Sequence, residues 1–386
     1  MLQQQAPTYF KGLNGLRFIA ASLVLIDHAE WIILHKNGLG YYNFIHHLLS
    51  TNAQSAVMFF FVLSGFLITF LLLKEYETSQ TINIKNFYLK RVVRIWPLYY
   101  LLLFIVLIVA PMFFYLSGQD YIPLNLSAIG LYMCFLPNVV DTLSIGTKMS
   151  LKILWSIGVE EQFYLIWAPI IKFFKRRVLQ IMLGIVILKI MLRILFHFYS
   201  GHSSSILFMI DFVNQLAIEN MAIGGIGAYL VYYYREKIHS SWLFNYLPQI
   251  VIYALLFFKL STNEDYLDSV VWLKNLYHIL FANSLSQMIM LPVLFLYLIL
   301  NVSLNAKSII KTENKVFDYL GKISYGLYMY HWIAISVTVF LLKYANGVDK
   351  FLYSCLFYIL AFGINIAIAT LSFEYFEKRF LKLRPH

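Results

Sequence analysis

A group able to take a proton and a group able to grip an anion share one apolar stretch, "LRFIAASLVLIDH" (16–28). Arg17 and His28 stand eleven residues apart. At 3.6 residues per turn that is close to three full turns of helix, so both side chains share a face about 16 Å apart along its axis. Ionisable groups inside an apolar helix are costly in lipid unless they are paired or used. Asp27 points off this face and is assigned no catalytic role. "LWSIGVEEQFYLIW" (154–167) adds Glu160 and Glu161, and "ISYGLYMYHW" (323–332) adds His331. "FFFVLSGF" (59–66) adds the Ser64 hydroxyl with Gly65 as a point of close approach, and "YLKRVVRIWP" (88–97) sets Arg91 and Arg94 one turn apart beside Lys90.

Taken singly, each feature has a plain explanation. A snorkelling arginine with a carbonyl-satisfied histidine accounts for the first helix, and three cations at a helix start make an ordinary membrane anchor. Their recurrence at comparable depth in several spans favours a common reaction path. On that reading His28 is a general base toward an acceptor hydroxyl, and Glu160 orients it or stabilises its protonated form. An acyl-histidine intermediate stays open. Arg17, Arg91 and Arg94 form a clamp, since guanidinium groups grip phosphates with two parallel hydrogen bonds. Coenzyme A has the matching shape: a phosphate-rich head and a long arm ending in a thioester.

The elements that must position these groups are membrane helices. The 386 residues are 60% hydrophobic and 13% charged, against about 25% charged in soluble domains. Apolar runs near the bilayer-spanning length of about 20 residues predict an all-α, polytopic bundle of about ten transmembrane helices. They fall at 13–34, 55–73, 95–116, 153–171, 178–199, 207–233, 243–260, 276–300, 319–342 and 351–375. With both termini cytoplasmic, 21 of the 30 basic residues fall in inner segments and seven in outer loops, as the positive-inside rule requires. The net charge of +11 is therefore a topology signal, and no nucleic-acid surface is expected. Cys134 and Cys355 lie among apolar residues with no metal-ligand spacing. The first run holds charges and lacks a small-residue cleavage site, so it reads as a retained helix rather than a signal peptide. "LNLSAIGLYMCFLP" (124–137) is too short to span and reads as re-entrant or interfacial, while the small residues of "NMAIGGIGAYL" (220–230) suit close helix packing.

In order and spacing, "GLRFIAASLVLIDH", "FFVLSGFLI", "RVVR", "WSIGVEEQFYLIW", "ISYGLYMYHW" and "FEYFEKRF" resemble the acyltransferase-3 family of integral membrane acyltransferases, which O-acetylates bacterial surface glycans. The resemblance covers nearly the whole chain. It implies an acyl-CoA donor, most simply acetyl-CoA, on the cytoplasmic side of the inner membrane. It also implies an acceptor reached from the far side, an envelope polysaccharide or lipid-linked glycan, and no metal. Catalytic roles fall on His28 and Glu160, and donor binding on Arg17, Arg91 and Arg94. Ser64, Ser156, Glu161, Tyr325 and His331 are the supporting or substrate-binding candidates. Gly158 departs from the family's frequent serine, which removes a hydroxyl beside Glu160. Arg379 stands where a proline commonly follows the terminal Glu-Lys pair. The chain ends about eleven residues past its last span, so a stand-alone form without an esterase-like domain is expected. Acceptor selectivity is expected in loops 35–54 and 117–152. The alternatives are a small-molecule acceptor, a different acyl group such as succinyl, or a transporter or flippase without chemistry. The last lacks the matched Gly/Pro-broken helices of transporter halves.

Overall fold

The computed structural model describes residues 10–37, 52–116, 118, 123–146, 148–199, 204–262, 267, 270–282, 284–345 and 348–385. Among these, every regular element is a helix, as long apolar runs without strand alternation require. The chain runs α1 (Leu13–Asn37), α2 (Ala53–Ser79) and α3 (Ile84–Phe104), the last extended through a π-helical turn at Ile105–Val109. Two short helices follow, α4 (Leu126–Met133) and α5 (Pro137–Leu143), then α6 (Leu154–Phe174) and α7 (Val178–Tyr199). Next come α8 (Ser204–Leu216), α9 (Ile218–His239), α10 (Tyr246–Ser261) and α11 (Ser284–Leu304). Then come α12 (Lys315–Lys322), α13 (Ser324–Leu341) and α14 (Lys350–Ser372), the last followed by a π-helical turn at Phe373–Glu377 and a short helix at Lys378–Leu381. Among the described residues, five stretches are long and apolar enough to cross a membrane, namely Ala53–Ser79, Ile84–Leu116, Ser150–Phe196, Ser286–Leu304 and Lys350–Leu381. The third of these is bent at the Lys175–Arg177 turn into α6 and α7.

Helix α2 forms the centre. Phe61, Val62, Phe66, Phe70, Leu72 and Leu73 are all fully buried along it. Its closest partner is α9, and glycines set that distance. A Cβ on Gly65 would stand 2.0 Å from the Met221 carbonyl oxygen, and one on Gly224 would stand 2.0 Å from that of Val62. The two backbones are therefore in direct contact, which is the close approach that small residues permit between membrane helices.

The run 207–233 is not one helix. Ala217 adopts a left-handed conformation (φ 43°) and divides it into α8 and α9. No proline marks this break; a buried ion pair holds it instead. Lys189 of α7 lies 3.3 Å from Glu219 in the first turn of α9, and both side chains are buried. Lys189 also donates to the Val213 carbonyl, in the last turn of α8. The cation thus meets a helix C-terminus and the anion a helix N-terminus, the favourable arrangement for both dipoles.

Segment 124–137 forms α4 and the start of α5. An eight-residue helix rises about 12 Å, too little to span. Phe135 turns the chain at φ 58°, and the hairpin is pinned to its neighbours. Tyr99 donates to the Tyr132 carbonyl (2.7 Å), Tyr100 to that of Met133 (2.9 Å) and Gln162 Nε2 to that of Phe135 (3.1 Å).

Asp27 has a structural role. Its Oδ1 accepts from the backbone N–H groups of Asn52 (3.0 Å) and Ala53 (3.4 Å), which open α2. The Asn52 side chain, which usually caps such an end, instead donates to the Leu260 carbonyl (2.8 Å). Asp27 therefore caps α2 from the neighbouring helix, a contribution of about 1 kcal/mol. Most of loop 35–54, where acceptor selectivity is expected, lies outside the described residues.

Candidate active site

A cavity of about 310 Å³ opens between α1, α2, α3, α6 and α13. Three cations from two helices reach its wall, Arg17 from α1 and Arg91 with Arg94 from α3. Arg91 and Arg94 share a face because three residues is nearly one turn. Arg17 donates to the Asn14 side-chain oxygen, one turn back (3.1 Å). Among the described residues, Arg91 Nε is buried without a hydrogen-bond partner, a costly state for a charged donor unless a ligand supplies an acceptor.

Facing them, α6 presents Glu160 and α2 presents Ser64. The link between these two is Tyr164. It donates its single proton to Glu160 Oε2 (3.0 Å), so in its contact with Ser64 the serine hydroxyl must be the donor. Tyr164 follows Glu160 by four residues and lies on the same helix face, a pairing readable from spacing alone. Within the same wall, the Ser156 and Tyr328 hydroxyls are 2.9 Å apart and both lie within reach of the Ile153 carbonyl, so one of them donates to that carbonyl while the other donates to its hydroxyl partner. Tyr325 donates to the Ile95 carbonyl (3.0 Å), which ties α13 to α3 beside the arginines.

Three candidates stand outside the cavity lining. Glu161, one residue beyond Glu160, points instead toward α3, where its Oε2 accepts from Trp96 Nε1 (3.1 Å). His28 and His331 form a pair of their own. His28 Nδ1 is 3.0 Å from His331 Nε2, and the two rings are nearly parallel, at 12° with centroids 5.0 Å apart. His331 is fully buried, and its Nδ1 meets the Tyr328 carbonyl at 2.5 Å. Trp332 packs against His28 with centroids 4.8 Å apart. The partner His28 meets is therefore His331, while the hydrogen bond of Glu160 runs to Tyr164. Tyr328 touches both groups, with its hydroxyl in the cavity wall and its carbonyl on His331.

Gly158 faces packing rather than the cavity. A Cβ there would lie 2.6 Å from Pro137 Cδ and 3.0 Å from the Phe135 oxygen. The bare glycine lets the start of α5 close on α6, and a serine at this position would strike that turn.

Residues 10–370 match a family described as an acyltransferase domain. A protein of Staphylococcus aureus (strain COL), provisionally named an O-acetyltransferase, is 27% identical over 392 residues, covering 97% of this chain and 58% of that protein. A counterpart in Staphylococcus aureus (strain MSSA476) shows the same figures. The O-acetyltransferase OatA of Staphylococcus aureus (strain NCTC 8325 / PS 47) is 29% identical over 237 residues, covering 58% of this chain and 35% of that protein. The chain thus spans little more than half the length of the first of these relatives. No solved structure matches it significantly.

Proposed function

The chain belongs to the acyltransferase-3 family and is an acyltransferase, and from that premise we propose that it moves an acetyl group from cytoplasmic acetyl-CoA to a sugar hydroxyl of an envelope polysaccharide or lipid-linked glycan. The observation that carries the reading is the cationic cavity, where Arg17, Arg91 and Arg94 converge and a buried arginine donor stands unpartnered. A donor rich in phosphate supplies the missing acceptors, and guanidinium forks match phosphate oxygens in geometry.

The bundle has ten spans with both termini in the cytoplasm of a cell whose inner membrane it crosses. The charge bias of the loops favours this orientation, and it puts the arginines toward the donor. The phosphates dock on the arginines, and the arm extends past Ser64, Glu160 and Tyr164 toward Tyr328 and the histidine pair. His28 takes the proton of the acceptor hydroxyl as that oxygen attacks the thioester carbonyl. The C–S bond breaks, and the proton passes from His28 to the leaving thiolate. Glu160, held by Tyr164, contributes negative charge beside the arginines and keeps their guanidinium groups oriented between turnovers.

The test is a transfer assay in vesicles containing the full chain, acetyl-labelled acetyl-CoA and envelope glycan. Protein-dependent movement of label to glycan is the expected result. Label that stays on coenzyme A, with folded protein present, contradicts the reading.

A further inference from the structure

The contact between His28 and His331 joins two aromatic nitrogens, and each nitrogen can either carry a proton or offer a lone pair. Which one does which follows from the far side of His331. Its Nδ1 lies 2.5 Å from the Tyr328 carbonyl oxygen, and a carbonyl only accepts, so this nitrogen carries hydrogen. A ring with 0% exposure in apolar surroundings is held neutral, because an uncompensated buried cation is costly. A neutral imidazole has one N–H only. With that proton on Nδ1, His331 Nε2 is a lone pair. At 3.0 Å from it, His28 Nδ1 cannot also be a lone pair and therefore carries the proton of its own ring. His28 also bonds to the Val24 backbone carbonyl one turn back, a contact that the same Nδ1–H can share, and the bare nitrogen of His28 is then Nε2.

We propose that His331 is a positioning residue that fixes the tautomer of His28, leaving Nε2 of His28 as the nitrogen that takes the acceptor proton. This rests on the reading of His28 as general base. When the acceptor O–H bond breaks and an N–H bond forms at His28 Nε2, His28 becomes a cation. Its Nδ1–H···Nε2 bond to His331 then becomes charge-assisted, and such bonds are about twice as strong as neutral ones. The gain appears as charge develops, so it lowers the barrier rather than tightening ground-state binding. The new oxygen–acyl bond forms, the C–S bond breaks, and the proton leaves Nε2 for sulfur, which restores the original tautomer. His331 touches neither substrate; it acts through His28.

Three variants of the full chain, reconstituted in vesicles, separate this proposal from the reading beneath it. His331→Leu removes the acceptor at roughly constant volume. It is expected to lower kcat about 100-fold, within the range of a positioned base, with KM for acetyl-CoA little changed because the donor is gripped elsewhere. His331→Gln restores an acceptor oxygen near the Nε2 position and is expected to recover most of that loss. A His331→Leu enzyme with wild-type kcat overturns the proposal, and so does a His331→Gln enzyme as slow as His331→Leu. If His28→Ala is inactive in that same experiment, the base reading survives alone; if His28→Ala is active, the base reading itself fails. Should the His331 variants not fold, nitrogen NMR of histidine-labelled wild-type protein decides the matter. A protonated Nδ1 and bare Nε2 on His28 support the proposal, and the opposite tautomer overturns it.

Discussion

Replacing His28 with alanine is expected to slow acetyl transfer by about 10²–10⁴-fold, the usual worth of a positioned general base and equivalent to about 3–5 kcal/mol of barrier. The loss should fall on kcat. On the proposed reading the donor's phosphates dock on arginines lining a cavity that His28 does not line, so KM for acetyl-CoA should move little. Folding should survive, because His28 is only partly buried and its contacts are the side chains of His331 and Trp332 and the Val24 backbone carbonyl of its own helix. A monodisperse elution profile matching wild type checks this independently. His28→Gln, which keeps a polar group but no titratable nitrogen, should be as slow as alanine. Either variant retaining more than a tenth of wild-type kcat would remove His28 from the chemistry.

The second large effect concerns the donor. In the double variant Arg91→Ala/Arg94→Ala, affinity for coenzyme A should fall by 100-fold or more. Each hydrogen bond to a charged group contributes about 1.5–3 kcal/mol, so losing one from each arginine is about 3 kcal/mol, and each 1.4 kcal/mol is tenfold in affinity. Arg91 should matter in particular, because its buried Nε has no protein acceptor. The corresponding lysine pair keeps the charge but not the two-pronged geometry, and it should recover only part of the affinity. Titration of coenzyme A into detergent-solubilised protein reads both variants. Unchanged affinity would reduce these arginines to membrane-topology signals.

Helical periodicity made much of the architecture legible. Every regular element among the described residues is a helix, as the long apolar runs suggested, and Gly65 with Gly224 proved to be the close-approach points that their composition suggested. Neighbourhood was less legible than depth. Glu160 and His28 lie at similar depth along their helices, which suggested a pair. Depth, however, says nothing about which helices touch. In the bundle α1 packs on α2, α12 and α13, whereas α6 packs on α2, α3 and α5. His28 therefore meets His331 of α13, and Glu160 meets residues of its own helix and α2.

The same limit explains the other surprises. Asp27 caps a helix that starts 26 residues later, and no local pattern encodes a cap supplied by another element. The break at Ala217 carries neither glycine nor proline; it depends on Lys189 and Glu219, whose pairing exists only after α7 and α9 pack. Gly158 looked like a missing hydroxyl beside a catalytic acid, and only the position of Pro137 shows it as a packing requirement. Tyr164 differs: it was not among the expected residues, although its four-residue spacing from Glu160 could have pointed to it.

Acetylation of an envelope glycan by this chain is read by mass spectrometry of glycans released from cells that carry the wild-type protein, the His28→Ala variant or no copy. A species heavier by one acetyl group is expected in the first sample and not in the other two. Identical glycan masses in all three samples, with the protein present in the membrane, would contradict it.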